Sequence, residues 1–122
     1  MSDELIGTGT NLFPAGRLTG TARWFLDTRD VLEVEDDELD DLVAFVRKGG
    51  MTFLSPILPD LKAIVCTAGS RESHLAILSR EANVACVLAA ELSREPSNGD
   101  RVELDLTDAT TARIVRCAEV PA

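Results

Sequence analysis

Ala63-Ile64-Val65-Cys66-Thr67-Ala68-Gly69-Ser70 opens with four apolar residues in a row and closes on a small, glycine-bearing turn. A strand buried on both faces needs such a run, because alternate side chains point to opposite sides of the pleat and both sides must be apolar. Residues 84–89, Val-Ala-Cys-Val-Leu-Ala, form a second run of the same kind. Between them, residues 73–82 place Ala76, Ile77 and Leu78 on an inward face and end near Arg80-Glu81, which predicts a helix. Strand, loop, helix and strand in that order predict a crossover unit with its two strands parallel. The fold class expected from this core is α/β, a mixed sheet with flanking helices.

Outward from that unit, residues 7–20, GTGTNLFPAGRLTG, read as a glycine- and threonine-rich lead-in to a first strand at 18–25. Asp36-Asp37-Glu38 precede Leu39, Leu42, Val43 and Val46, a helical stripe closed by Arg47-Lys48 and Gly49-Gly50. Acid at its start and base at its end suit a helix macrodipole, so the acidic run at 33–41 is read as a solvated helix start rather than a metal site. Residues 51–54 predict a short strand, and Ser55-Pro56 and Pro59 predict an irregular or single-turn link. Beyond the crossover, 93–100 is a turn with Pro96, Asn98 and Gly99. Residues 101–106 then alternate apolar and polar, and 111–117 are expected to pair with them as a hairpin. No repeat or low-complexity tract interrupts the chain, and one domain over 1–122 is expected.

Composition narrows the function. The 122 residues carry 21 Asp+Glu against 12 Lys+Arg, a formal charge of −9, which argues against a nucleic-acid partner held through its phosphates. No apolar run approaches the roughly 18 residues of a spanning helix, and Met1-Ser2-Asp3-Glu4 is neither basic nor apolar, so no membrane partner and a cytoplasmic location are expected. Cys66, Cys86 and Cys117 lack CxxC spacing and read as small core residues. There is no GxxxxGK[ST] or GxGxxG segment to cradle a nucleotide, and one histidine with scattered acids supplies no metal-ligand spacing. Any reaction here needs a partner.

The single histidine, His74, opens the second expected helix, directly after the loop that leaves a buried strand. Ligands collect at the C-terminal ends of strands in α/β sheets, and the first turn of a helix offers unpaired N–H groups to an anion. A phosphoryl group at His74 would meet the amides around 69–75, with Gly69 permitting close backbone approach. Neutral imidazole is nucleophilic near pH 7, and a phosphorylated imidazole remains poised for onward transfer.

Gly69, Ser73, His74, Ala76, Ile77, Arg80 and Glu81, followed by Asn83-Val84-Ala85-Cys86-Val87-Leu88, resemble a known phosphohistidine signature. It is that of the mobile, swivelling domain of PEP-utilising enzymes, the family of pyruvate phosphate dikinase, phosphoenolpyruvate synthase, rifampin phosphotransferase and phenylphosphate synthase. The family pattern is Gly-Gly-x-[Thr/Leu]-Ser-His-x-Ala-Ile-x-Ala-Arg-Glu and then a Gly-Ile-Pro-Ala-Val-Val strand. Leu58-Pro59, the run 63–67 and Asn98-Gly99-Asp100-Arg101-Val102 fall in the order and spacing of its flanks, and Pro14-Ala15-Gly16 and Gly20-Thr21-Ala22-Arg23 echo its opening. The resemblance implies a swivelling β/β/α domain and a catalytic role for His74 as phosphoryl carrier. Gly69, Ser70, Arg71 and Ser73 would support the phosphate, and Arg80 would serve docking or structure. It also implies that this chain alone binds no cofactor, with ATP or PEP and Mg held by a separate nucleotide- or PEP-binding subunit, and a small-molecule phosphoryl acceptor.

The function expected is therefore a stand-alone phosphohistidine carrier subunit of a multi-subunit phosphotransferase. The alternative is a non-phosphorylated swivelling or regulatory subunit that binds a partner enzyme, motivated by Ser70 in place of the second glycine and by Glu72 two residues before His74. A Ser/His hydrolase built on Ser70 or Ser73 is disfavoured, because chain neighbours rarely meet as nucleophile and base and no orienting carboxylate is identifiable.

Overall fold

A computed structural model describes residues 4–11, 16–25, 28–34, 36–47, 57–67 and 81–117. Seven strands are present among them: β1 (Glu4–Asn11), β2 (Arg17–Phe25), β3 (Leu42–Val46), β4 (Ala63–Cys66), β5 (Ala85–Leu92), β6 (Arg101–Asp105) and β7 (Thr111–Arg116). They close into a barrel in the order β1-β5-β4-β3-β2-β6-β7. The pairs β2/β3, β3/β4 and β4/β5 are parallel, and the remaining four are antiparallel. Helix among the described residues amounts to α1 (Thr28–Glu33), 3-10 segments at Asp36–Asp41 and Leu58–Asp60, and helical backbone at Glu81 and Ala82. The expected α/β swivelling β/β/α domain, a mixed sheet with flanking helices, is thus corrected to a closed mixed barrel with little helix among the described residues.

Closure comes from β1, which the sequence reading assigned largely to a loop because Gly7 and Gly9 weaken a strand. Here they let two backbones approach. A Cβ on Gly9 would lie 2.6 Å from Val87 Cγ1 and 2.9 Å from the Leu88 carbonyl oxygen. Between Thr8↔Glu91 and Thr10↔Leu88 the register slips, so that Gly9 faces the two residues Ala89 and Ala90. Ala89 takes up the slip with φ of 51°, a left-handed conformation that is uncommon for alanine. The bulge changes which way the strand faces: Cys86 and Leu88 point to one core, and Ala90 joins Ala85 and Val87 in the other.

Those two cores explain the second correction. The helix expected over Leu39, Leu42, Val43 and Val46 is a 3-10 segment followed by strand β3, all five residues of which are buried. Leu42, Ala44 and Val46 face an outer core, while Val43 and Phe45 face the barrel interior. The helical stripe arose because Leu39, Leu42 and Val46 do share one core. Leu-Val-Ala-Phe-Val is apolar on both faces and rich in strand formers, and parallel neighbours on both sides supply its hydrogen bonds.

The interior core draws Ile6, Ala22, Phe45, Val65, Val87, Leu104 and Ile114 from all seven strands. The outer core lies on the parallel half, where Phe25, Ile64 and Leu88 are covered by Val31 of α1, Leu39, Ile57, Leu61 and Val84. Burying such side chains contributes about 1.5–3 kcal/mol each. Expected strands at 18–25, 63–66, 84–89 and 101–106, the parallel β4/β5 pair, the single-turn link at Leu58–Asp60 and the β6/β7 hairpin are all present. The expected strand at 51–54 and most of the helix at 73–82 lie outside the described residues. Cys66 and Cys86 are buried in the outer core and Cys117 is half-buried.

Buried Asn11 fastens the far end of the barrel. Its Nδ2 donates to the carbonyls of Leu106, at 3.1 Å, and Asp108, at 2.7 Å, tying the β6–β7 turn to β1. Among the described residues no helix is long and apolar enough to cross a membrane.

Candidate functional site

Because β2, β3 and β4 run parallel, Phe25, Val46 and Cys66 end at the same rim of the barrel. At that rim the chain leaves β4 through Thr67, whose N–H donates to the Val46 carbonyl at 3.0 Å; from Glu81 it enters β5 at the opposite end of the barrel, where Ala85 pairs with Ala63. His74, Gly69, Ser70, Arg71, Ser73 and Arg80 belong to that connection and lie outside the described residues.

The described part of the rim is built around Trp24, the one tryptophan of the chain. It stands in register with Phe45 across the parallel β2/β3 pair, ring centroids 5.4 Å apart and planes tilted by 44°. Its position is fixed twice more. The indole N–H donates to the Pro96 carbonyl at 2.7 Å, and the backbone N–H donates to Asn98 Oδ1 at 2.7 Å. Over the ring lies the guanidinium of Arg47, the residue after β3, 4.6 Å from the centroid. Arg47 Nη2 also meets Glu95 Oε2 at 2.7 Å, and both side chains are about half exposed.

Glu95 and Pro96 belong to the 93–100 connection, which crosses the rim and is pinned to several strands. Arg94 pairs with Glu4 of β1 at 3.2 Å, Glu95 with Arg47, and Asp100 with Arg116 of β7 at 3.2 Å. The Ser93 N–H donates to the Ile6 carbonyl at 2.7 Å, and the Gly99 N–H to Ala22 at 2.8 Å. Gly99 adopts φ of 95°, which the turn into β6 requires and which glycine accepts without strain.

A groove of about 420 Å³ lies beside β2, lined by Thr21, Arg23, Asp41, Leu42, Asn98 and Gly99. Its polar wall is a three-way contact. Arg101 Nη1 donates to Thr21 Oγ1 at 2.9 Å and to Asp41 Oδ2 at 2.7 Å, and Thr21 Oγ1 donates to the same carboxylate oxygen at 3.0 Å. These contacts tie β6, β2 and the start of β3 together. Among the described residues no three His, Cys, Asp or Glu side chains converge as metal ligands.

Trp24, Arg47 and Glu95 were not singled out by sequence reading. Arg47 read as the basic end of a helix, and Glu95 as part of a turn. The signal available was Trp24 itself, the one tryptophan, on an expected strand.

Solved structures that share the fold include the following two. An MccF-like protein from Bacillus anthracis str. Ames superposes with a TM-score of 0.59 at 13% identity, over 91% of this chain and 43% of its own length. A UPF0107 protein solved in solution superposes with a TM-score of 0.54 at 16% identity, over 96% of this chain and 99% of its own. This chain therefore spans less than half of the first and nearly all of the second. No curated protein matches the sequence. The family described as PEP-utilising enzyme, mobile domain, matches residues 46–109, from the end of β3 through β6 and including the connection that carries His74. With more than half of its length so matched, the chain belongs to the PEP-utilising enzyme mobile-domain family.

Proposed function

We propose that the chain is a phosphohistidine carrier in which His74 accepts a phosphoryl group from a separate nucleotide- or PEP-binding subunit and delivers it to a small-molecule acceptor. The observation that carries this reading is the family match itself, which takes in the His74 motif in the connection following parallel strand β4. A neutral imidazole nitrogen of His74 attacks phosphorus, the bond to the donor's leaving oxygen breaks, and the reverse chemistry at an acceptor hydroxyl or carboxyl regenerates the imidazole. Gly69, Ser70 and Ser73 offer amides or hydroxyls to the phosphate, Arg71 offers a cation, and Arg80 serves docking or structure. ATP or PEP, with Mg, binds in the partner, and the assembly works in the cytoplasm.

Incubation with a candidate ATP- or PEP-binding subunit and labelled donor tests this. Acid-labile, alkali-stable label on the wild type that is lost in His74→Ala is the expected result. A second reading, a partner-binding module without phosphorylation, is favoured by Glu72, whose negative charge stands two residues before His74 in the sequence and opposes an incoming phosphoryl dianion. Full activity of the assembly with His74→Ala would establish that reading and end the first.

A further inference from the structure

We infer that Asn98 is a site of spontaneous covalent modification, losing its side-chain amide through a succinimide ring formed with Gly99, and that the contacts of the 93–100 connection with β2 hold this reaction back until the connection opens.

Asn11 precedes Leu12 and Asn83 precedes Val84, whereas Asn98 precedes a glycine. Ring closure brings the backbone nitrogen of the following residue onto the asparagine Cγ, so a side chain on that residue obstructs it and glycine does not. Asn98 and Gly99 are exposed, and a Cβ at Gly99 would meet nothing within 4 Å, so space and water are at hand. The steps balance with water as the one co-reactant. The Gly99 amide gives its proton to a solvent base, its nitrogen bonds to Asn98 Cγ, and the side-chain nitrogen leaves as ammonia. Water then opens the ring, at the side-chain carbonyl to give aspartate or at the backbone carbonyl to give isoaspartate.

The native contacts keep the two reacting groups apart. The β2/β6 ladder reaches Thr21↔Arg101, and beyond it the Ala22 N–H donates to the Asp100 carbonyl at 2.7 Å while the Ala22 carbonyl accepts the Gly99 N–H at 2.8 Å. Further along β2, Asn98 Oδ1 takes the place of a strand carbonyl and accepts the Trp24 N–H at 2.7 Å. Nucleophile and electrophile are thus fastened to different residues of β2, and the proton that Gly99 must lose is engaged. The connection itself is tied by the exposed pairs Arg94–Glu4 and Arg47–Glu95, by Asp100–Arg116 and by the indole N–H on Pro96. Such surface ties are individually weak, so the connection opens without unfolding the barrel. An aspartate at position 98 still presents an oxygen to the Trp24 N–H. Isoaspartate adds a methylene to the backbone and moves Gly99 off Ala22, so the connection does not reclose as before.

Incubation of the full chain at mildly alkaline pH, folded and in guanidinium chloride, followed by peptide mass spectrometry, tests the inference. In the unfolded chain Asn98 should convert well ahead of Asn11 and Asn83, to both acids. The folded wild type should convert at least about tenfold more slowly. Trp24→Phe removes the indole donor and Arg116→Gln the partner of Asp100; each should speed conversion severalfold in the folded protein and leave the unfolded rate unchanged. Asn98→Asp should keep the wild-type Trp24 emission, and the isolated isoaspartate form should shift it. The inference is overturned by a folded wild type that converts as fast as the unfolded chain, by Asn11 or Asn83 matching Asn98 in the unfolded chain, by both folded variants converting at the wild-type rate, or by an isoaspartate form with wild-type emission.

Discussion

Arg47 and Trp24 form a cation–aromatic stack, 4.6 Å from guanidinium carbon to ring centroid, at the rim where the parallel strands end. Trp24 lies in β2 and Arg47 directly follows β3, its parallel neighbour, so the stack also depends on the β2/β3 register. An exposed stack of this kind contributes about 0.5–1 kcal/mol. Arg47→Ala should therefore lower stability by about that amount in urea unfolding, with a shift in the emission of the single tryptophan. The Arg47/Glu95 coupling in a double-mutant cycle should stay below about 1 kcal/mol, as for other solvent-exposed pairs.

Asn11 holds the opposite end. Asn11→Ala removes two donors and leaves the Leu106 and Asp108 carbonyls short of partners, which should cost about 2–3 kcal/mol in a denaturant titration. Asn11→Asp should be worse at neutral pH, where a carboxylate faces two carbonyl oxygens. It should recover partly as the medium is acidified and the carboxyl regains a proton to donate.

Two glycines make a paired comparison. Gly9→Ala places a methyl group 2.6 Å from Val87 Cγ1 and 2.9 Å from a backbone oxygen, and should destabilise by about 1–3 kcal/mol. Gly16→Ala meets nothing within 4 Å and should leave the thermal midpoint within a degree or two of wild type. Equal effects at the two positions would contradict the close approach of β1 to β5.

Asp105 and Asp108 shape the acid limb of stability. The Thr107 hydroxyl, then its N–H, holds the Asp105 carboxyl below the ordinary aspartate value. Asp108 is lowered first by the N–H of Thr110, then by that of Thr111 and the Thr110 hydroxyl. A pKa lower in the folded than in the unfolded state gives stability that is complete above the unfolded value, about 4, and is lost as pH falls through the folded one. Asp108→Asn should therefore flatten the decline in midpoint below about pH 4 while changing the slope little near pH 7. An unchanged acid limb would show that these turn contacts do not persist in solution.

Strands β4, β6 and β7 were legible because their patterns have one reading: an apolar run of strand length, or clean alternation beside a turn. Strand β3 was not, since Leu39, Leu42 and Val46 fit a helical stripe equally well, and only the parallel neighbours decide that Val43 faces the other way. In β1 the glycines argued for a loop, and what they permit is contact with a strand some eighty positions away in the chain. The His74 motif could be read because its residues are contiguous, whereas the rim of Trp24, Arg47 and Glu95 unites residues from three separate segments.

The sequence alone determined the family of this chain, its buried parallel pair, its hairpin and its single histidine. Local order and spacing carry each of these. Tertiary structure decided that the sheet closes, that the acidic stripe runs into a strand, and that an arginine after β3 lies on a tryptophan of β2 beneath a glutamate from the β5–β6 connection. Those outcomes depend on which strands become neighbours, and neighbour choice is set by burying two faces of the same strands at once, a constraint that no local window of residues contains.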